Sequence, residues 1–330
     1  MMKFIAFNAR EDEQQYFEAW EKKNGVQVDM VEEAIDSTSI NQTVGYDGVL
    51  ALQTGVFPEK MFDKLSKNGV KVFAIRNVGV DNLDLEAAKK NGIKVTNVPA
   101  YSPNAIAEFS VTQLMQLLRN TTIFRRKVAE HDFRWAPFVG KELRSLTVGV
   151  IGTGRIGRAA IDIYLGFGAK VIAYDVYPNP ELVQEGLYVS SYDELFAQAD
   201  VITMHMPATP KDHHLINADT IAKMKKGVYI INTARGSLIN TPDLIKAIKD
   251  GQVAGAALDT YENESPLFNH DLRGKELEDK TFSELLELDN VLVTPHVAFY
   301  TETAVKNMVF IALDSAKSVC EKGHADTLVI

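Results

Sequence analysis

Three short apolar runs in the second half of this 330-residue chain end in residues that can hold charge or move a proton. Val228 to Asn232 leads into Thr233-Ala234-Arg235-Gly236, and Gly255 to Leu258 leads into Asp259-Thr260-Tyr261-Glu262-Asn263-Glu264. Val291 to Val293 leads into Thr294-Pro295-His296. If the runs are parallel strands of one open sheet, their carboxyl ends share a rim, which is where ligands of such sheets gather. Arg235 can grip a carboxylate bidentately through its planar fork. His296 can give or take a proton near neutral pH, and a carboxylate beside it, Glu264, stabilises the imidazolium. Taken singly, each has a plainer reading: a surface ion pair for Arg235, solvated loop charges for Glu262 and Glu264, a strand-end cap for Asp259 and a structural role for His296. Their joint placement on adjacent strand ends favours chemistry.

What that rim acts with is read from Val148 to Ile151 followed by Gly152-Thr153-Gly154-Arg155-Ile156-Gly157. An apolar strand breaks into Gly-x-Gly-x-x-Gly, a helix-like segment follows from Arg158 to Leu165, and a second strand, Val171 to Tyr174, ends at Asp175. This is the dinucleotide-binding fingerprint in its proper context. Gly152 permits the tight turn, Gly154 leaves room for a pyrophosphate, and Gly157 lets the helix pack against the strand. The helix N-terminus offers unpaired N–H groups to the phosphates. Asp175 stands where it accepts hydrogen bonds from a ribose diol and repels a ribose phosphate, so NAD is expected rather than NADP. Hydride transfer to a ketone leaves an alkoxide that needs a proton, and a 2-oxo acid brings a carboxylate. His296 as acid/base, Glu264 as its partner and Arg235 as the substrate clamp meet those needs.

The surroundings are those of an ordinary globular enzyme. Lys and Arg number 35 against 44 Asp and Glu, a formal charge of −9, which speaks against a nucleic-acid partner. The single cysteine, Cys320, rules out an internal disulfide and a multi-cysteine metal site, and no metal is expected. The first residues carry too short an apolar run for a signal peptide, and no stretch is long enough to span a bilayer. A cytoplasmic protein without a membrane partner is the expectation. His213 and His214 fall in a polar loop, whereas His205-Met206-Pro207 follows the strand next to the cofactor crevice.

The first hundred residues alternate strand and helix signals: strands at Phe4 to Phe7, Gly48 to Leu52, Val72 to Ile75 and Ile93 to Val95, and helices at Glu11 to Lys23, Pro58 to Asn68 and Leu83 to Asn91. Asn24-Gly25, Asn68-Gly69 and Asn91-Gly92 fall where those helices should stop. Ser102 and Pro103 open a helix to about Leu118. From Thr147 six strands alternate with helices, the five already named and Val201 to Met204, and a long helical pattern, Thr301 to Cys320, follows His296. The expected fold is α/β, with two Rossmann-like doubly wound parallel-sheet domains.

The chain resembles the D-2-hydroxyacid dehydrogenase family, most closely its bacterial D-lactate dehydrogenase branch, over essentially its whole length. Carrying the resemblance are Arg76-Asn77-Val78-Gly79-Val80-Asp81-Asn82, the run from Asn97 to Glu108, the fingerprint, Asn232 to Gly236, Asp259 to Glu264 and Thr294 to Tyr300. It implies an NAD-binding domain, 101–299, inserted into a discontinuous substrate-side domain, 1–100 plus 300–330, and a homodimer. It implies catalytic roles for Arg235, Glu264 and His296. Cofactor contacts are implied for Gly152, Gly154, Arg155, Ile156, Gly157, Asp175, Met206, Pro207, Thr233, Ala234 and Asp259, and for Asp212, where relatives often carry Asn. Substrate contacts are implied for Leu52, Val78, Gly79, Tyr101, Arg235 and Phe299. The implied reaction is reduction of pyruvate to D-lactate with NADH. Many relatives of this branch have Tyr where this chain has Leu52, and the roomier wall resembles that of enzymes for branched 2-oxo acids, so D-2-hydroxyisocaproate dehydrogenase is the alternative. The change is worth only about 1–3 kcal/mol, enough to reorder substrates without excluding pyruvate. A reading from another class, an NAD-sensing binding protein, shares the fingerprint, but the Arg, Glu and His set speaks for turnover.

Overall fold

The computed structural model describes residues 2–52, 55, 57–80 and 82–330, so Asp81 of the 76–82 motif lies outside the described residues. The chain divides into two compact units, Met1–Ser102 with Tyr300–Ile330, and Pro103–Phe299.

In the first unit, β1 (Lys3–Phe7), β2 (Gln27–Met30), β3 (Gly48–Ala51), β4 (Val72–Ile75) and β5 (Lys94–Thr96) form a parallel sheet in the order β2-β1-β3-β4-β5. Every residue of β3 and β4 is buried, as parallel strands covered on both faces should be. Period-two alternation sends Phe4, Ala6, Leu50, Val72 and Ala74 to one core and Ile5, Phe7, Val49, Phe73 and Ile75 to the other. The helices Gln14–Asn24 and Glu302–Lys322 cover the first of these, pinned together by a 2.7 Å hydrogen bond from Trp20 Nε1 to Asp314. Strand β2 is an addition to the sequence expectation. It lies at the sheet edge with only Val28 buried, so its polar neighbours hide the strand signal.

In the second unit, β6 (Thr147–Ile151), β7 (Lys170–Tyr174), β8 (Val201–Met204), β9 (Val228–Asn232), β10 (Val253–Leu258) and β11 (Val291–Val293) form a parallel sheet in the order β11-β10-β9-β8-β6-β7. Both sheets thus follow the doubly wound order 2-1-3-4-5, the second with one strand more. The order reverses between β6 and β8, the topological switch point where ligands of such sheets bind. The helices Pro103–Leu118 and Arg155–Gly166 cover one face over Val148, Val150, Val201 and Ile231. Tyr192–Gln198 and Thr241–Lys249 cover the other over Ile202, Met204, Ile230 and Leu258. The fingerprint helix begins at Arg155, three residues before the expected Arg158, because its first turn is built by the glycine segment itself.

Candidate active site

The glycine turn after β6 is shaped by backbone contacts that no side chain would allow. Gly152 holds φ +90°, and a Cβ there would lie 2.8 Å from the His205 carbonyl and the Met206 nitrogen at the end of β8. A Cβ on Gly157 would lie 1.9 Å from the Gly152 oxygen, so only glycine lets the helix seat against the turn. Gly154 differs: nothing lies within 4 Å of an added Cβ, and its extended φ of −65° would accept one. It caps a twelve-residue helix without a side-chain acceptor, leaving the first N–H groups to a ligand. Asp175 follows β7 and is tied to the turn. Its Oδ2 accepts from Thr153 N at 2.6 Å and Thr153 Oγ at 3.0 Å, and its Oδ1 accepts from Tyr177 N at 2.9 Å.

The remaining expected cofactor residues sit on the same edge of the sheet. Arg155 and Ile156 open the helix; Met206 and Pro207 follow β8, and Asp212 takes a hydrogen bond from the Thr209 hydroxyl further along that loop. Thr233 and Ala234 follow β9, where Ala234 N donates to Asn232 Oδ1 at 3.0 Å and the Thr233 hydroxyl is shut off from solvent without a partner. Open space before Gly154, an uncapped helix N-terminus, a fixed carboxylate at Asp175 and a buried unsatisfied hydroxyl together fit a dinucleotide. His205 packs against this turn. Its Nε2 lies 2.9 Å from the Thr203 hydroxyl, its Nδ1 is enclosed without a partner, and desolvation pushes its pKa down to about 4.

The residues expected to handle a proton stand on the next two strand ends. Glu264 turns back on its own loop, accepting from Tyr261 N at 3.0 Å through Oε2, while Oε1 lies 2.7 Å from His296 Nδ1. The loop is anchored by Tyr261, whose hydroxyl donates to Asp279 at 2.8 Å. With Nδ1 engaged, Nε2 is the ring nitrogen left to face a substrate. His296 holds a φ of +57°, a left-handed conformation that costs about 1–3 kcal/mol in a non-glycine residue and persists only where the surroundings impose it. The surroundings here are Asp259. Its buried carboxylate accepts from Thr294 Oγ at 2.6 Å, Val297 N at 2.9 Å and Ala298 N at 2.8 Å, so one side chain at the end of β10 fixes both flanks of His296. Burial raises the Asp259 pKa, and these donors oppose the rise. Gln113 donates to Thr294 from the helix Pro103–Leu118.

Arg235 follows β9 in extended conformation, with Nη1 donating to the Ala234 carbonyl at 2.9 Å. The next residue, Gly236, has no room for a side chain: a Cβ would lie 2.1 Å from the Tyr261 carbonyl carbon and 2.3 Å from the Glu262 nitrogen. The Glu264 loop therefore runs directly over the Arg235 loop. Neither the positioning role of Asp259 nor this close pass is visible in residue spacing. The same holds for a pairing of His213 and His214 with Glu262, at 3.0 and 2.9 Å. Phe299 ends this unit, half-buried.

In the first unit, Leu52 comes immediately after β3 and is half-buried. Val78 and Gly79 lie on the loop after β4, their carbonyl oxygens held by Asn97 Nδ2 at 2.8 Å and Asn77 Nδ2 at 2.7 Å. The loop springs from Arg76, which is fully buried against Glu13 and also donates to the Phe7 and Asn8 carbonyls. The Tyr101 carbonyl accepts from Asn307 at 2.6 Å.

Residues 111–298 match the family model for the NAD-binding domain of D-isomer specific 2-hydroxyacid dehydrogenases. The chain is 56 % identical over 329 residues to a D-lactate dehydrogenase of Lactiplantibacillus plantarum, covering 99 % of each. It superposes on a D-lactate dehydrogenase of Treponema pallidum with a TM-score of 0.90 at 41 % identity, covering 100 % of both chains. A D-2-hydroxyisocaproate dehydrogenase structure gives a TM-score of 0.91 at 43 % identity over 99 % of each. The chain belongs to the D-isomer specific 2-hydroxyacid dehydrogenase family, and its Pro103–Phe299 unit carries that family's NAD-binding domain.

Proposed function

We propose that this enzyme reduces pyruvate to D-lactate with NADH, reversibly, using His296, Glu264 and Arg235. The observation that carries the reading is the 2.7 Å contact between His296 Nδ1 and Glu264 Oε1 at the strand ends of the NAD-binding unit. When bound, NADH supplies the hydride for the carbonyl carbon. His296 gives its Nε2 proton to the carbonyl oxygen as negative charge grows there, and Glu264 steadies the ring in both protonation states. Arg235 holds the substrate carboxylate through its fork, which fixes the face of the ketone that meets the hydride. In oxidation the same imidazole accepts the hydroxyl proton. Asp259 keeps His296 in place, and its Oδ2, with one accepted hydrogen bond, has room for a further donor from the cofactor. Gly152 to Gly157, Asp175, Met206, Pro207, Asp212, Thr233 and Ala234 make up the rest of the cofactor site in this proposal. Leu52, Val78, Gly79, Tyr101 and Phe299 are the further substrate contacts that the family resemblance implies.

Names among the relatives support pyruvate as the substrate, and one observation favours a second reading. Leu52 presents an apolar wall after β3 and suits a branched 2-oxo acid, in keeping with the similarity to a D-2-hydroxyisocaproate dehydrogenase. Steady-state NADH consumption with pyruvate and 2-oxoisocaproate in parallel, with chiral analysis of product, tests both. A higher kcat/KM for pyruvate with D-lactate formed supports the first reading. Preference for the branched acid moves the assignment to the second and makes Leu52→Tyr the variant that should restore pyruvate.

A cytoplasmic homodimer completes the proposal. No helix of the described residues is long and apolar enough to cross a membrane. Val128, Phe133, Trp135 and Val139 expose apolar surface within twelve residues, Phe133 at 73 % and Trp135 at 78 %, and such a patch suits a contact between subunits.

A further inference from the structure

The loops after β8 and β10 bring together three groups that the proposed reaction does not use. His213 Nε2 lies 3.0 Å from Glu262 Oε1, and His214 Nε2 lies 2.9 Å from Glu262 Oε2. The two rings stand side by side with centroids 3.8 Å apart. The ligand atoms of all three side chains lie within 4.8 Å of one another, a grouping of potential metal ligands found among the described residues. We propose that His213, His214 and Glu262 form a site for a divalent transition metal of the zinc and nickel class.

Adjacent histidines on a polar loop have no steric reason to turn the same nitrogen toward one carboxylate, and here both do. An ion with bonds of about 2.0–2.2 Å to imidazole and carboxylate holds neighbouring ligands roughly 3 Å apart, close to the spacing already present. Imidazole with carboxylate selects zinc, nickel or copper over calcium and magnesium. The backbone framing the site is held in place. His214 N donates to the Ser237 carbonyl and the His214 carbonyl accepts from Asn217 Nδ2, each at 2.8 Å, and Gly236 admits the Tyr261–Glu262 backbone. His213 is about half exposed, which leaves a path for the ion and room for water ligands.

One feature of the site opposes loading and supplies its sharpest test. Coordination through Nε2 moves each ring proton to Nδ1. The Nδ1 of His214 lies 3.4 Å from Asn240 Nδ2, a second donor. Asn240 cannot turn its oxygen there, because Oδ1 caps the helix Thr241–Lys249 by accepting from Asp243 N at 3.1 Å. Asn240→Asp keeps the cap, since Asp serves there as well as Asn, and offers His214 Nδ1–H the carboxylate acceptor typical of metal-bound histidines.

The experiment is calorimetric titration of the metal-free full chain with Ni²⁺, repeated with Zn²⁺. The expected result is one ion per chain, with affinity weakened about tenfold or more in His213→Ala and strengthened in Asn240→Asp by part of the 10–100-fold that second ligand shells contribute. NADH-dependent turnover of metal-free His213→Ala shows that the variant is folded. No binding to the native chain, or binding that neither substitution moves, overturns the proposal.

Discussion

The two units wind their strands in the same order, yet the turn after the first strand of each is built for opposite purposes. In the first unit the turn after β1 runs into Glu11, Asp12 and Glu13, three carboxylates in the first turn of the helical segment. It is closed by side chains: Arg10 pairs with Asp12, and Glu13 is fully buried against Arg76. A phosphate would meet negative charge and a filled space. In the second unit the turn after β6 is Gly152-Thr153-Gly154, with no side chain capping the helix and Asp175 held to one side. The residues that follow the third strand differ as well, Leu52 in one sheet and His205 in the other. The architecture is shared and the ligand site is a local graft upon it.

That comparison can be broken most severely at Glu13. Glu13→Ala leaves Arg76 buried without its partner and should cost roughly 3–5 kcal/mol, read by denaturant unfolding, while NADH affinity of the folded fraction stays unchanged. The second-largest effect is pH-dependent. His205 takes a proton at 6.5 when unfolded and at about 4 when folded. The unfolded state therefore binds the extra proton between those values. Acidification from about 6.5 to about 4 should remove about 2 kcal/mol of stability, discounted for the ring's partial exposure, and above 6.5 the group costs nothing. His205→Asn should flatten that part of the stability–pH curve, and an unchanged slope would show that His205 is not its source. The smallest effect sharpens the contrast. Gly154→Ala meets no neighbour and should leave unfolding nearly unaltered, but it should weaken NADH about tenfold or more, 1.4 kcal/mol for each factor of ten. Lost stability with intact NADH binding would place the glycine in the fold rather than the site.

What the sequence made legible follows from the same physics. Strands buried on both faces, such as β3 and β4, appear as unbroken apolar runs, and Gly25, Gly69 and Gly92 do end helices with positive φ. Strand β2 does not announce itself, because an edge strand with one buried residue has almost no apolar pattern. At the site, parallel topology lets residues after strands be placed on one rim, so Glu264 and His296 could be paired from the chain alone. The threefold hold of Asp259 on the His296 loop, the pass of Tyr261 over Gly236 and the meeting of His213 and His214 with Glu262 depend on how loops cross in space. No spacing in the chain encodes those distances.

The most direct test of the account is His296→Ala, with single-turnover reduction of pyruvate and NADH affinity measured on the same preparation. The account predicts turnover lower by roughly 10²–10⁴ with NADH affinity unchanged, since the proposal assigns the dinucleotide to the glycine turn and Asp175. Near-native turnover in that variant would contradict it.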